Sequence, residues 1–230
     1  MLALAVAFGV IIGKEVFGGT GMNIWNPALV ARAFLFFSYP SHMTGDSIWV
    51  AGVDGYSGAT ALGEAAATGA TSYSPLEMFI GLIPGCPGET CKIAILLGAI
   101  LLIYFGVASW KIMLSSVVGA LAVGYLCNLC APSPDSYLAL PAWEHLLMGG
   151  FLFGTVFMAT DPVTSAQTET GKWIYGFLIG ALTVTIRVFN PGYPEGMMLS
   201  ILLMNTFAPL IDYLVVNRNI KKRMKRAQVK

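Results

Sequence analysis

Long apolar runs recur along the chain and are separated by short stretches rich in polar residues, glycine and proline. An α-helix needs about 20 apolar residues to cross the hydrocarbon core of a bilayer. Each run is close to that length and contains few or no charged residues. The pattern predicts five membrane-spanning helices, at 93–110, 112–130, 145–160, 173–186 and 196–216. The predicted fold is therefore an all-α, polytopic bundle of membrane helices.

Two other apolar runs, 26–40 and 76–85, are too short to span a bilayer and are bounded by proline and glycine. Broken helices occur in membrane proteins where they face protein or a water-filled cavity, so we expect half-helices in both places. The apolar start of the chain, 1–12, is also short and is not followed by a cleavage site. We interpret it as the end of a longer helix, which predicts that residues 1–230 form one transmembrane domain, the C-terminal part of a larger subunit.

Composition argues against a soluble fold. Of the 230 residues, 56% are hydrophobic and 11% are charged, and the mean hydropathy is +0.72, whereas soluble domains carry about 25% charged residues. The sequence contains no phosphate-binding loop of the form G-x-x-x-x-G-K-[ST], no G-x-G-x-x-G after a strand and no H-E-x-x-H zinc motif. NAD or ATP chemistry within this chain is therefore not expected.

Positive charge is concentrated at the C-terminus. The last apolar run is followed by seven of the 13 Lys and Arg residues, which are Arg218, Lys221, Lys222, Arg223, Lys225, Arg226 and Lys230. Basic residues next to a membrane span mark its cytoplasmic end, so we expect 217–230 to be a cytoplasmic tail rather than a nucleic-acid-binding tail. Five spans counted back from this tail put the loop at 40–90 outside the cytoplasm.

The heptapeptide D-G-Y-S-G-A-T, which ends at Thr60, combines one carboxylate with two glycines and two aliphatic hydroxyls. Asp54 could form an Asx-turn, and the segment would then be only a glycine-rich turn. The same residues could form a site, because Gly58 lets backbone N–H groups approach an anion and exposes Ser57 and Thr60 beside it. An exposed hydroxyl in that setting can accept a phosphoryl group as an ester. The residues alone leave both interpretations open.

Two asparagines lie at the start of the 26–40 run. Asn23 and Asn26 flank Trp25, and Asn26 precedes a proline at the first helical position. Their amides would either cap the helix or donate hydrogen bonds to a planar polar ligand next to the indole face. The residues alone favour capping.

Charged residues within or beside the apolar runs are further candidates. Arg32 and Asp212 lie within such runs, where burying a charge is expensive, so we expect each to be functional or to form a buried pair. Asp161, Arg187 and Glu195 lie at or near the ends of runs, and for these an interfacial anchor is at least as good an interpretation.

The four cysteines form two close pairs, Cys86 with Cys91 and Cys127 with Cys130. The C-x-x-C spacing of the second pair is that of redox and metal motifs. It lies at the end of an apolar run, with no second pair at ligand spacing and no nearby histidine. Structural or disulfide-bonded cysteines are therefore favoured over a metal site.

Ordered motifs along essentially the whole chain resemble the B subunit of the sodium-translocating NADH:quinone reductase family. They are G-K-E-V-F-G-G-T-G at 13–21, N-P-A-L-V-A-R-A-F-L-F-F-S-Y-P at 26–40, D-G-Y-S-G-A-T at 54–60, F-M-A-T-D-P-V-T-S at 157–165, R-V-F-N-P-G-Y-P-E-G at 187–196 and A-P-L-I-D-Y at 208–213. The near relative is the D subunit of the Rnf-type ferredoxin:NAD complex, which the first motif, F-L-F-F-S-Y-P and the basic tail disfavour. Cys86 and Cys91 depart from the family pattern, and a disulfide between them would cross-link the loop that contains them.

The resemblance implies a covalent flavin. In this family the S-G-A-T motif carries FMN through a phosphoester on its threonine, which is Thr60 here, with Ser57, Gly58 and Asp54 beside it. The attachment is made outside the cytoplasm, which agrees with the position obtained by counting spans.

The resemblance also implies a non-covalent riboflavin, which we assign to Asn23 and Asn26, and an intramembrane acid implicated in sodium handling, which is Asp212 here. The chain would be a membrane subunit of a redox-driven sodium pump in the bacterial inner membrane. Electrons would pass from a partner subunit through FMN and riboflavin towards quinone, coupled to sodium export. The implied partners are the A, C, D, E and F subunits, quinone and sodium, with no nucleic acid. A channel or secondary transporter without redox chemistry is the competing class.

Overall fold

The computed structural model describes residues 1–43, 57–133, 136–190 and 195–228. In this part of the chain the regular elements are helices, so the predicted all-α fold is confirmed. The α-helices are α1 (Leu2–Gly13), α2 (Pro27–Ser38), α3 (Pro40–Met43), α4 (Ala61–Thr68), α5 (Pro75–Ile80), α6 (Lys92–Tyr104), α7 (Trp110–Leu129), α8 (Glu144–Leu147), α9 (Phe151–Phe153), α10 (Glu169–Phe189) and α11 (Met197–Gln228).

Three described helices, α7, α10 and α11, are long and apolar enough to cross a membrane. They correspond to the predicted spans at 112–130, 173–186 and 196–216, and α11 continues as helix through most of the predicted basic tail. The two short apolar runs form short helices, as predicted, which are α2 and α5. The predictions of full spans at 93–110 and 145–160 are wrong.

Glycines with positive φ interrupt these two runs. Helix α6 has 13 residues, and the chain turns at Gly106, whose φ is +70°. Gly149, with φ +57°, separates α8 from α9, and a π-helical turn at Gly154–Met158 follows α9. A left-handed backbone conformation stops the regular pattern of helical hydrogen bonds, so hydrophobicity alone overestimated the length of both helices.

Glycine brings α7 and α10 into backbone contact in the middle of the bundle. A Cβ built on Gly180 would lie 1.9 Å from the carbonyl oxygen of Ser116, and one built on Gly119 would lie 2.1 Å from that of Phe177. No side chain fits at such distances, so the two helices pack this closely only because glycine occupies these positions. The pair α7–α10 therefore forms the rigid centre against which α11 packs.

Helices α1 and α2 form an antiparallel hairpin beside α11. Gly9 of α1 lies against α2, since a Cβ there would be 2.7 Å from Cβ of Ala31. At the start of the hairpin's second helix, the indole N–H of Trp25 donates a 2.9 Å hydrogen bond to the hydroxyl of Thr206 on α11. This bond fixes the segment that contains both predicted ligand-binding asparagines to the bundle.

Candidate functional site

Thr60 is the N-cap of α4. Its backbone is extended (φ −69°, ψ 154°), and its hydroxyl oxygen accepts a 3.1 Å hydrogen bond from the N–H of Gly63. Thr60 is half-buried, Ser57 is exposed and Gly58 is buried. A capping hydroxyl uses one oxygen lone pair and keeps its O–H for another partner. Asp54, the fourth residue predicted for this site, lies outside the described residues.

A small cavity lies against Thr60. Its volume is about 10 Å³, which is room for one water-sized atom. Glu89, Lys92 and Gly149 also line it. Lys92, the first residue of α6, is 1% exposed, and its ammonium donates a hydrogen bond to the carbonyl oxygen of Glu89. A hydroxyl-bearing residue, an acidic residue and a buried lysine therefore meet around this cavity.

Two carboxylates converge beside this cavity. Glu89 Oε1 accepts a 3.2 Å hydrogen bond from the N–H of Cys86, and Glu195 Oε1 accepts a 3.0 Å bond from the N–H of Gly150. A Cβ built on Gly150 would lie 2.9 Å from Glu89 Oε2 and 2.8 Å from Glu195 Oε1, so the two carboxylates are close neighbours. Burial raises the pKa of Glu89 and the charge of Glu195 raises it further, while the positive charge of Arg32 opposes the rise. Arg32, expected to be functional or paired, thus acts on this acid.

Arg187 joins three chain segments at the same end of the bundle. It is 1% exposed and donates hydrogen bonds to the carbonyl oxygens of His145 (2.5 Å), Met148 (3.1 Å) and Glu195 (3.2 Å). These bonds tie the end of α10 to the α8–α9 break and to the start of α11. Arg187 is buried in protein, so its interpretation as an interfacial anchor is wrong. The four charged side chains at this end are called the charged cluster below: Glu89, Lys92, Arg187 and Glu195.

A larger cavity adjoins the start of α2. Its volume is about 440 Å³, within the range of small-molecule sites, and Asn23, Asn26 and Asp161 line it. Asn26 Oδ1 accepts a 3.0 Å hydrogen bond from the N–H of Ala28, which confirms the predicted cap, and Asn23 Nδ2 donates a 3.2 Å bond to the carbonyl of Trp25. Within the described residues, the Asn26 amide nitrogen and the Asn23 amide oxygen form no other hydrogen bond. The pair thus offers a ligand one donor group and one acceptor.

The two cavities lie at opposite ends of α6. Lys92 lines the cavity beside Thr60, and Leu102, ten residues later, lines the cavity beside Asn23. With a rise of about 1.5 Å per residue, these two positions are about 15 Å apart along the helix axis. Helix α11 starts next to Glu195 at the Thr60 end and runs away from it. Thr60 thus lies near the start of α11 and the basic tail at its other end, and which of these ends faces the cytoplasm stays a prediction.

The carboxylate of Asp212 accepts hydrogen bonds from residues at the N-terminus of α10. Its Oδ1 accepts hydrogen bonds from the N–H (2.9 Å) and the hydroxyl (2.6 Å) of Thr168, and its Oδ2 accepts one from the N–H of Gln167 (2.7 Å). A carboxylate is favourable at this end of a helix because the free N–H groups are electropositive. The predicted sodium role stays a prediction. In the described part of the chain, no three His, Cys, Asp or Glu residues are grouped to hold a metal ion.

All four cysteines are free thiols in the structure. Cys86 and Cys91 are half-buried, Cys127 is buried and Cys130 is exposed. Neither pair forms a disulfide, so of the two predicted alternatives, structural or disulfide-bonded cysteines, the structural one is left. The N–H of Cys86 donates a hydrogen bond to Glu89 in the loop before α6. Close spacing in sequence does not set the geometry that a disulfide needs.

Comparison with known proteins identifies the family. The NQR2, RnfD, RnfE family matches residues 1–221. The chain belongs to this family. The resemblance inferred from the ordered motifs is thereby confirmed for nearly the whole chain.

Named relatives of this NQR2, RnfD, RnfE family member are similar over 98% of its length. The proteins named as the B subunit of the Na(+)-translocating NADH-quinone reductase share 52% identity in Chromohalobacter salexigens, 51% in Azotobacter vinelandii and 50% in Pseudomonas paraeruginosa. The chain spans 56–57% of the length of these three relatives.

Lys92 and Glu89 were not predicted as site residues. They lie in the stretch G-E-T-C-K just before an apolar run, where a charge is ordinarily interpreted as the water-facing end of a span. The end of α5, helix α9 and the π-helical turn at Gly154–Met158 pack against α6, and Lys92 is buried in this setting. A lysine placed directly before an apolar run was the one available signal.

Proposed function

We propose that the chain is the C-terminal portion of a membrane subunit of a redox-driven sodium pump, the B subunit of a Na+-translocating NADH:quinone reductase. About 50% identity along 98% of the chain to proteins of that name supports the proposal. All three relatives are named as that B subunit, which favours this function over that of the Rnf-type D subunit. The A, C, D, E and F subunits, quinone, sodium and a bacterial inner membrane location belong to the same proposal.

FMN would be attached to Thr60 as a phosphoester. The observation that carries this proposal is the position of Thr60, half-buried at the N-terminus of α4 and lining a small cavity together with the buried residue Lys92. Helix N-termini and cations both favour a phosphate. FMN supplies reversible electron transfer, and the chain's own residues fix the phosphate end of the cofactor. Ser57, three residues before Thr60, is the alternative hydroxyl.

Non-covalent riboflavin would occupy the cavity beside Asn23 and Asn26. The supporting observations are a volume of about 440 Å³ and the donor and acceptor that the two amides leave uncommitted. A planar polar ligand needs such convergent polar groups in a largely apolar cavity. Two flavin sites at opposite ends of α6 would carry electrons across the bundle from the Thr60 end to the Asn23 end.

The test of the covalent flavin is in-gel fluorescence under ultraviolet light. The protein is produced in membranes that contain the flavin-attaching enzyme and is then separated under denaturing conditions. We expect a fluorescent band that is lost in Thr60→Ala and retained in the control Ser57→Ala.

The opposite pattern, loss in Ser57→Ala alone, would move the attachment from Thr60 to Ser57. Absence of any fluorescent band from the unmodified protein would refute the redox function and favour a channel or transporter.

A further inference from the structure

Lys92 is a buried cation with few partners. It is 1% exposed, although lysine is rarely fully buried unless it is paired. Its ammonium has three N–H donors, and within the described residues its one hydrogen bond goes to the carbonyl oxygen of Glu89. A buried charge with unused donors is unfavourable unless a further group or ion compensates it. The nearby carboxylates Glu89 and Glu195 offset part of this charge, and the remaining N–H donors of Lys92 are available to a further anion.

The space next to Lys92 is shared with Thr60. Both residues line the cavity of about 10 Å³, which accepts one water-sized atom. An oxygen atom in this cavity would contact the Lys92 side and the Thr60 side at once. A phosphoryl group esterified to Thr60 carries two non-bridging oxygens, and one of them has the size that the cavity admits.

The charges around the cavity leave a positive excess. The charged side chains that act on Glu89 and Lys92 are three cations, Arg32, Lys92 and Arg187, and two carboxylates, Glu89 and Glu195. With both carboxylates ionised the group carries one net positive charge. A phosphodiester carries one negative charge, so its binding would bring the group to neutrality.

We propose that Lys92 is a positioning residue whose ammonium binds the phosphoryl group that joins FMN to Thr60. The inference rests on the proposed attachment of FMN to Thr60. One non-bridging oxygen occupies the cavity, and Lys92 holds the ester against the start of α6. The phosphate end of the flavin is thereby fixed in place, and the negative charge of the phosphodiester offsets the excess positive charge that Arg32 adds to the charged cluster.

The test compares Lys92→Met, which removes the charge but keeps an unbranched side chain, with the conservative variant Lys92→Arg. Both are made in the full-length subunit within its complex and produced with the flavin-attaching enzyme. The fluorescent band reports the attachment of FMN and is expected in the unmodified protein, in Lys92→Met and in Lys92→Arg. The phosphorus-31 resonance that is absent from Thr60→Ala reports the phosphoryl group. We expect it to move in Lys92→Met and to return towards its original position in Lys92→Arg.

Thermal unfolding provides a second, independent measurement. In flavin-bearing protein, Lys92→Met should lower Tm by several degrees, because the phosphoryl group loses its counter-charge. In the Thr60→Ala background, which lacks the phosphate, Lys92→Met should leave Tm unchanged or raise it. Lys111→Met is the matched control at the other end of the bundle, and its effect should be the same in both backgrounds.

The possible failures are distinguishable. An unmodified protein without a fluorescent band refutes the attachment of FMN and the inference with it. A normal band together with an unmoved phosphorus resonance, or with additive effects of Lys92→Met and Thr60→Ala on Tm, overturns the role of Lys92 and leaves the proposed function intact.

Discussion

The bonds of Asp212 to the start of α10 lead to a stability prediction for Asp212→Asn. The substitution keeps the size of the side chain but turns one acceptor oxygen into an N–H donor that faces the donors of Gln167 and Thr168. Hydrogen bonds to a charged group contribute about 1.5–3 kcal/mol each. Asp212 is half-buried and water replaces part of what is lost, so we expect a loss of about 2 kcal/mol in total. In a protein of this size, that loss lowers Tm by about 4–8 °C.

The assay is thermal unfolding of the purified protein in detergent, in buffer without sodium. Tyr213→Phe is the matched control, since Tyr213 is the next residue and is 63% exposed; its Tm should stay within about 2 °C of the unmodified protein. Thr168→Val removes one of the donors. The double variant should be less destabilised than the sum of the two single variants, because they remove the same bond.

Sodium binding at Asp212 predicts a different outcome. If the carboxylate served mainly as a sodium ligand, Asp212→Asn and Asp212→Ala would change the sodium dependence of quinone reduction in the assembled complex and leave Tm in sodium-free buffer unchanged. An unchanged Tm, or strictly additive effects with Thr168→Val, would refute the structural role derived from the three hydrogen bonds. An unchanged sodium titration would remove Asp212 from the pumping mechanism.

Three further predictions follow from single contacts. Asn26→Ala should lower the free energy of unfolding by about 1 kcal/mol, because the cap of α2 is lost, and should also lower the riboflavin content. Asn23→Ala should lower the riboflavin content with little change in Tm. Extraction and chromatography of free flavin measure this content. Gly180→Ala should lower Tm and yield of the folded protein, because its Cβ would lie 1.9 Å from the carbonyl oxygen of Ser116, and an unchanged Tm would contradict the observed packing. The raised pKa of Glu89 favours its protonated form in the folded protein. The contribution of Glu89 to the free energy of unfolding is therefore fully present below its ordinary pKa of 4.5, and it is lost as pH rises through the higher pKa of the folded protein. The Tm of Glu89→Gln relative to that of the unmodified protein should therefore be higher at pH 7 than at pH 4.5.

Hydrophobic patterning predicted those parts of the fold in which helix length follows from apolar length. Helices α7, α10 and α11 are of this kind, and so is the short helix α2, whose Asn-Pro start is a local signal for a cap. The pattern failed where backbone conformation decides the outcome. Gly106 and Gly149 count as small apolar residues in a hydropathy profile, but their positive φ angles end helices.

The sequence predicted the motifs of the candidate sites but not the residues that surround those motifs in the fold. Thr60 and the two asparagines could be chosen from short sequence patterns, because capping residues and hydroxyls in glycine-rich loops are recognisable locally. The charged cluster could not, because Glu89 and Glu195 are more than 100 residues apart in sequence and meet only through the fold. A single sequence gives no measure of such long-range proximity.

The irregular segment at 149–160 is best understood as part of both sites. Gly149, at its start, lines the cavity beside Thr60, and Phe157 and Thr160, at its end, line the cavity beside Asn23. The π-helical turn adds a residue to the helical repeat, which rotates the residues after it by about 100° relative to a regular helix. Phe157, within this turn, packs over Gly98 of α6, where a Cβ would lie 2.6 Å from Cζ of the ring, and also lines the larger cavity. The interrupted helix thus contributes residues to both cavities, and the feature that made the prediction of a full span wrong is part of both sites.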